Sequence, residues 1–152
     1  MKFSAIILYT ATLLSFSSCT LNKNTPATVT QGVTGHVTYS EGNMMPGPGM
    51  TNSGKGVQRT ISIYSLTSSA EAKGEAPLYQ SVGTQLIATV KSDTAGYYKC
   101  SLKPGKYSVF TEEEGKKLFS GLSNDKADLS PVEVLPGKVA VYDIMINYKA
   151  VY

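Results

Sequence analysis

The chain of 152 residues contains no tryptophan, one histidine and two cysteines, and only 16% of its residues are charged. A hydrolytic triad needs a base beside its nucleophile, and the single histidine, His36, has no identifiable partner. The sequence also holds no His-x-x-Glu arrangement and so offers no zinc site. Its 14 lysines and arginines form no cluster, which argues against nucleic acid. We therefore expect no catalytic residues, no metal, no cofactor and no nucleic-acid partner.

The start of the chain has the features of an export signal. Lys2 and an apolar stretch over residues 3–16 are typical of a signal peptide, and the stretch is too short to span a bilayer permanently. Ser17 and Ser18 then lead directly into Cys19. This arrangement resembles the lipobox of bacterial lipoproteins, although phenylalanine stands where leucine is usual. The resemblance implies cleavage after residue 18, diacylation of the Cys19 thiol and a stable membrane anchor.

A tether and one domain are predicted behind the signal. Within residues 19–31 the lipobox resemblance implies a lipidated N-terminus at Cys19, and the polar residues that follow, which include a proline, predict a flexible tether. The folded domain is predicted over residues 32–152. Cys100 is the only cysteine in it, so no intramolecular disulfide is expected. Alternation places Cys100 between Tyr98 and Leu102 on an inward face, where its thiol acts as an apolar filler rather than a nucleophile.

Apolar and polar residues alternate with a period of two along the domain, which predicts β-strands. In the first strand Val33 and Val37 face inward and His36 faces solvent. In the second strand Ile61 and Ile63 face inward. The predicted strands span residues 33–39, 57–66, 85–92, 97–102, 106–111, 118–119, 131–135 and 139–148. Seven or eight short strands separated by turn residues predict a single all-β sandwich.

Pro-Gly pairs at residues 104–105 and 136–137 punctuate the second half of the domain. Proline sets φ at the first central position of a turn, and glycine accepts the positive φ of the second. A type II turn is therefore predicted at each pair.

Several segments resemble the carboxypeptidase regulatory-like domain, a transthyretin-like β-sandwich common in bacterial envelope proteins. The matching segments are Val-Thr-Gly-His-Val at 33–37, Ser-Asp-Thr-Ala-Gly-Tyr-Tyr at 92–98, Leu-Lys-Pro-Gly-Lys-Tyr-Ser-Val at 102–109, Pro-Val-Glu-Val at 131–134 and Asp-Ile-Met-Ile at 143–146. The resemblance implies an immunoglobulin-like or transthyretin-like sandwich with Greek-key connections. It leaves the ligand open, because one fold carries many functions.

The activities found near this family are not implied for this chain. The peptidase of the family title holds its zinc in a separate domain. Transthyretin-like hydrolases of a purine-breakdown product depend on several histidines and end in Tyr-Arg-Gly-Ser, whereas this chain ends in Lys-Ala-Val-Tyr. The resemblance therefore predicts a protein that is not an enzyme.

The order of lipobox, tether and domain also resembles small lipoproteins of the Bacteroidota. In those proteins an acidic run after the lipidated cysteine accompanies surface display, and residues 20–24 lack one. No aspartate follows Cys19 to suggest retention at the inner membrane. The resemblance implies an outer-membrane position facing the periplasm rather than the cell surface. Asp93-Thr94-Ala95 also matches an O-glycosylation motif of such bacteria with Thr94 as acceptor, although the same residues favour an ordinary turn.

Two long segments, residues 41–56 and 67–84, are predicted as loops, the second with a short helical piece around residues 69–73. The methionines of the first segment are suited to adaptable contacts with a partner, but methionine side chains also fill gaps over the end of a sandwich. Exposed tyrosines stack on sugars or line interfaces, but tyrosine is also simply common in strands. The candidate interaction surface comprises Met44, Met45, Met50, Tyr79 and Tyr97, with Tyr152 as a further exposed tyrosine.

Asp125 and Asp128 fit no calcium-binding loop and are interpreted as solvated. The predicted function is that of a lipid-anchored envelope module whose sandwich positions loops for contact with another envelope protein or a glycan. The alternative is a purely structural envelope lipoprotein without a specific ligand.

Overall fold

The computed structural model of the chain describes residues 29–45 and 54–151. The predicted signal peptide, Cys19, most of the tether, Met50 and Tyr152 lie outside these residues. Within them the chain forms twelve strands and two 3₁₀ turns, arranged as one sheet of five strands and one of seven. The prediction of an all-β sandwich is confirmed.

The strands are β1 (Gly32–Asn43), β2 (Lys55–Gly56), β3 (Thr60–Ser65), β4 (Ala72–Glu75), β5 (Leu78–Val82), β6 (Leu86–Lys91), β7 (Tyr97–Ser101), β8 (Gly105–Glu112), β9 (Leu118–Phe119), β10 (Pro131–Val134), β11 (Val139–Val141) and β12 (Ile144–Val151). The 3₁₀ turns span Ser69–Glu71 and Glu114–Lys116. There are more strands than predicted because β2 forms within the predicted loop over residues 41–56, β4 and β5 form within the predicted loop over residues 67–84, and the closing strand is divided into β11 and β12.

β1 is the central strand of the five-stranded sheet. On one side it pairs antiparallel with β7 and then with β2. On the other side it pairs in parallel with β11 and then with β12. The break between β11 and β12 lies at Tyr142 and Asp143, where the Asp143 carboxylate accepts a hydrogen bond from the His36 backbone N–H at 2.9 Å.

The seven-stranded sheet runs in the order β4, β5, β9, β8, β3, β6, with β10 beside β8. β6 therefore forms one edge of this sheet, as β7 does of the other. The two edge strands approach each other, so they lie on the same side of the sandwich. This side carries the candidate site.

The main core fills the space between the sheets. Val33, Val37, Ile61 and Ile63, the residues predicted to face inward, have 0% of their surface exposed. Burial of each such side chain stabilises the fold by about 1.5–3 kcal/mol. The main core consists of Val33, Val37, Ile61, Ile63, Tyr98, Leu102, Tyr107, Val109, Phe119, Val132, Val134, Ile144 and Ile146.

A second, smaller core lies on the opposite face of β8. It consists of Tyr79, Phe110, Leu118 and Leu129. The predicted loop over residues 67–84 supplies one of its walls, because it forms the 3₁₀ turn at Ser69–Glu71 and then the hairpin of β4 and β5. The loop prediction is wrong there because β4 is short and mostly exposed, so alternation does not reveal the hairpin.

Two tyrosines of the matching segments donate hydrogen bonds from their hydroxyls to backbone carbonyls. Tyr98 of β7 donates to the Tyr142 carbonyl at 2.6 Å, across β1. Gly35 lies where this bond crosses the strand, and a Cβ at that position would be 1.9 Å from the Tyr142 oxygen and 2.9 Å from the Tyr98 ring. Only glycine therefore permits the crossing. Tyr107 similarly donates to the Lys103 carbonyl at 2.8 Å.

One of the two predicted turns is confirmed. Lys138 N donates to the Leu135 carbonyl at 3.1 Å, and Gly137 has a φ of 64°. The other prediction is wrong, because Gly105 has a φ of 158° and already begins β8, whereas a type II turn needs a φ near +80°. The hydroxyl bond to the Lys103 carbonyl closes that corner instead.

Gln31, the last residue of the predicted tether, is attached to the domain. Its Nε2 donates to the Leu102 carbonyl at 2.8 Å, and its Oε1 accepts from Gly137 N at 2.9 Å. Ordered contacts therefore begin one residue before the predicted domain start.

Candidate binding groove beside Tyr97

A tight turn joins β6 to β7 and positions the candidate site. The Asp93 Oδ1 atom accepts hydrogen bonds from the backbone N–H groups of Ala95 and Tyr97, each at 2.9 Å. Gly96 N donates to the Asp93 carbonyl at 3.1 Å, and Gly96 has a φ of 96°, a conformation that favours glycine. The turn expected from these residues is present, and Thr94 lies exposed at its tip.

His36 secures this turn from the adjacent strand. Its Nε2 atom lies 2.7 Å from the Ala95 carbonyl, so the neutral ring donates when its proton is on Nε2. Its ring stacks on that of Tyr97, with centroids 4.5 Å apart and an interplanar angle of 27°. The prediction that His36 simply faces solvent is wrong: the residue is half-buried, because its cross-strand neighbour and the turn cover it.

Two glycines beside His36, Gly56 and Gly96, have no room for a side chain. A Cβ on Gly56 would be 1.9 Å from the Ala95 oxygen, and a Cβ on Gly96 would be 2.3 Å from the Val37 oxygen. Each would also approach the imidazole to 3.0 Å. The two glycines therefore let the backbone close around the ring.

Tyr97 is the exposed member of the stacked pair, with 61% of its surface accessible. It borders an open groove of about 680 Å³ between the two sheets, a size within the usual range of small-molecule sites. The groove is lined by Thr34, Gln58, Val90, Lys91, Ser92, Asp93, Tyr97, Tyr98 and Lys99. The groove thus combines a fixed aromatic ring with polar side chains from both sheets.

Three polar residues of the groove were not identifiable from the sequence. Gln58 precedes β3, Lys91 ends β6, and Lys99 lies in β7. All three are exposed. Only the fold brings them together, since no sequence spacing connects them to Tyr97.

The other predicted interaction residues lie elsewhere. Tyr79 was expected at the surface, but only 6% of it is exposed, because its ring belongs to the second core. Met44 and Met45 directly follow β1 and do not line the groove. Met44 is half-buried, and its backbone N–H donates to the Val151 carbonyl at 2.8 Å. Met45 is 53% exposed.

Cys100 lies on the inner side of β7. It is half-buried and packs against the main core, as alternation predicts. Burial raises the pKa of its thiol. Since the thiolate is the reactive form, this environment disfavours a nucleophilic role.

Asn124 determines the shape of the loop that holds Asp125 and Asp128. Its Oδ1 accepts from the backbone N–H groups of Lys126 and Asp128, at 3.0 and 2.9 Å. Its Nδ2 donates to the Asp128 carboxylate at 2.9 Å. That carboxylate therefore has a partner within the loop.

An ion pair between Arg59 and Glu113 lies between the sheets. Glu113, whose side chain is only 3% exposed, accepts from Arg59 Nε at 3.0 Å and from the Tyr148 hydroxyl at 3.2 Å. The Arg59 guanidinium also lies 5.4 Å from the centre of the Tyr39 ring. These contacts join the two sheets and leave Glu113 with two donors.

In the described part of the chain, no group of three or more His, Cys, Asp or Glu side chains is placed to hold a metal ion. Over residues 29–45 and 54–151, no helix has the length and hydropathy of a transmembrane span. Comparisons of the chain with protein-family models, with curated proteins and with solved structures give no match. The function of the groove is therefore inferred from its own residues.

Proposed function

We propose that this chain is a membrane-anchored envelope lipoprotein whose β-sandwich is a non-catalytic binding module, with the groove beside Tyr97 as the ligand site. Of the two ligand classes predicted, protein and glycan, a glycan fits this groove better. The observation that carries the proposal is the exposed Tyr97 ring, held by the His36 stack at the border of the groove.

The ring suits the apolar face of a sugar. An aromatic face carries partial negative charge and attracts the polarised C–H groups that a pyranose presents on one side. The sugar hydroxyls then meet polar side chains, for which the groove offers Gln58, Lys91 and Lys99. This division into one stacking surface and a few polar contacts is typical of small-ligand sites.

The ring is also held in place before a ligand arrives. Tyr97 is restrained by the stack on His36 and by the backbone bond to Asp93. Binding therefore loses less side-chain entropy than it would with a mobile tyrosine. The same contacts give His36 a positioning role that needs no catalysis.

The proposed lipid anchor is supported by the sequence at Cys19. The proposed envelope location is supported by the resemblance to the carboxypeptidase regulatory-like domain. Gly35, Tyr98 and Tyr107 belong to the segments that carry this resemblance, and each has a structural role: Gly35 and Tyr98 in the crossing over β1, and Tyr107 at the corner that precedes β8. Motif positions with such structural roles are consistent with a shared fold.

Glycan-array binding of the purified domain, beside two variants, tests the binding proposal. Tyr97→Ala should lower binding at least about tenfold without changing the unfolding midpoint. Leu122→Ala is the control, because Leu122 is 62% exposed and lines a different groove. If no saccharide is retained, or if Tyr97→Ala binds as well as the native protein, the groove is not a glycan site and the purely structural alternative gains support.

The anchor has its own test. Intact mass and membrane fractionation of the native protein are compared with those of Cys19→Ala, and protease is added to whole cells. Acylated mass and membrane retention that are lost in the variant would support the lipid anchor, and protection from protease would support the periplasmic side. An unmodified protein found free in the medium would overturn the anchor but would leave the groove to be judged by the array.

A further inference from the structure

The groove beside Tyr97 is flanked by two lysines that come from different sheets. Lys91 ends β6 of the seven-stranded sheet, and Lys99 lies in β7 of the five-stranded sheet. Both are exposed and both line the groove. From this pair we propose that the ligand is an acidic saccharide, recognised through a carboxylate on the sugar; the inference rests on the proposed function.

Neither lysine has an acidic partner among the residues that the structure describes. Over residues 29–45 and 54–151 the ion pairs are Arg59 with Glu113 and Lys149 with Glu114. Lys91 and Lys99 therefore present free ammonium groups at the groove. An ammonium group is a mobile donor of three hydrogen bonds that suits a carboxylate.

Asp93 is the one acidic residue among the described lining residues, and it does not cancel this charge. Its Oδ1 atom already accepts two backbone N–H groups of its own turn, and those dipoles offset part of its negative charge. The groove therefore carries two positive charges and one negative charge that is partly offset, so it attracts anions.

The shape of a uronic acid matches this arrangement of groups. Its carboxylate projects from the edge of the pyranose ring, so it stays free when the apolar face of the sugar stacks on an aromatic side chain. Because Lys91 and Lys99 line the same groove as Tyr97, we expect the carboxylate of a sugar stacked on Tyr97 to be within reach of their ammonium groups. A neutral sugar would stack equally well but would offer neither ammonium group an opposite charge.

Calorimetry with defined oligosaccharides tests the inference. The probes are hexamers of galacturonate, mannuronate and guluronate, each beside its neutral carboxyl-reduced counterpart, together with a sulfated heparin hexamer. At least one uronate should bind about tenfold more tightly than its neutral counterpart, and the difference should shrink as salt is raised. The double variant Lys91→Gln/Lys99→Gln should remove the preference, so that each uronate binds no more tightly than its neutral counterpart.

A control separates local contacts from the overall charge of the protein. Lys73→Gln/Lys117→Gln changes the net charge equally at exposed positions outside the groove and should keep the preference. If all three uronates bind no better than their neutral counterparts, or if the double variant at 91 and 99 keeps the preference, the acidic class is overturned. Tighter binding of the sulfated hexamer than of any uronate would likewise overturn the carboxylate.

The outcomes also separate the inference from the proposed function. Binding of neutral glycans that is lost in Tyr97→Ala would keep the glycan site while overturning the acidic ligand. Failure of every glycan, on the array and in calorimetry, would overturn both.

Discussion

The hydroxyl of Tyr98 donates a 2.6 Å hydrogen bond to the backbone carbonyl of Tyr142, which lies across the central strand of the five-stranded sheet. Tyr98→Phe removes this bond and leaves a partly buried carbonyl without its donor. We expect a loss of about 1–2 kcal/mol in the free energy of unfolding, measured by urea titration. Tyr97→Phe is the control and should be neutral; an equal loss in both variants would contradict the assignment.

Gly35 should tolerate no side chain. In Gly35→Ala the new Cβ would lie 1.9 Å from the Tyr142 oxygen, so β1 or the β11–β12 break must move. We expect a destabilisation of about 3 kcal/mol or more, read from thermal unfolding. Gly83→Ala meets its nearest neighbour at an ordinary 3.4 Å and should stay within about 1 kcal/mol of the native protein. A Gly35→Ala domain with native stability would refute the close approach.

Replacement of Thr111 should stabilise the domain. Its Oγ1 is the one buried side-chain polar atom without a hydrogen-bond partner in the described part of the chain. Thr111→Val keeps the shape and removes the unsatisfied hydroxyl, so unfolding should require about 1 kcal/mol more. Thr67→Val should do the opposite, because that buried hydroxyl donates to the Ser65 carbonyl at 2.8 Å and lies 2.6 Å from the Thr84 hydroxyl. Denaturant midpoints that shift in the same direction would contradict this reasoning.

Neighbouring glutamates should differ sharply in their effect on stability. Glu113→Gln replaces a buried carboxylate that accepts hydrogen bonds from both Arg59 and Tyr148. We expect the free energy of unfolding to fall by about 2 kcal/mol. Glu114 pairs with Lys149 on the surface, where screening by water makes ion pairs weak. Glu114→Gln should therefore leave the unfolding midpoint unchanged. Calorimetric unfolding of both variants checks the contrast, which fails if the exposed pair proves equally important.

The raised pKa of Cys100 makes a prediction about pH. Burial disfavours the thiolate in the folded protein and so raises the pKa of the thiol. The contribution of the neutral thiol to the free energy of unfolding is therefore complete below the ordinary thiol pKa and is lost as pH rises through the raised pKa. In a Cys19→Ala background, alkylation of Cys100 at mildly alkaline pH should be at least about tenfold slower in the folded than in the urea-unfolded chain. Equal rates would show that the thiol is exposed and reactive.

The main core could be predicted from sequence because it depends on local periodicity. Ile61 and Ile63 alternate with polar residues, and their strand places them between the sheets. β8 shows where this reasoning stops: Phe110 is fully buried on the face opposite Val109. A strand covered on both faces loses its alternation, and the hairpin that covers it carries exposed and charged residues of its own.

The candidate site was predictable only in part, for the same physical reason. Turn chemistry indicated the bend at Asp93, and Tyr97 could be expected at the surface. The partners of Tyr97 depend on strand pairing instead. His36 is its direct partner on the adjacent strand β1, while Lys91 comes from the other sheet. Such neighbours have no signature in the spacing of residues, and the burial of Tyr79 was missed because its hairpin was missed.

The position of β1 in the sheet governs when this protein can fold. β1 is the first described strand, yet its parallel neighbours β11 and β12 are the last, and the bond between His36 and Asp143 spans 107 residues. Contacts so distant in sequence slow folding, because a long loop must close before any pairing is gained. The central strand thus stays without half of its partners until β11 and β12 have been synthesised. For a protein that we propose to be exported, such a delay would favour passage through a membrane before the sheet closes.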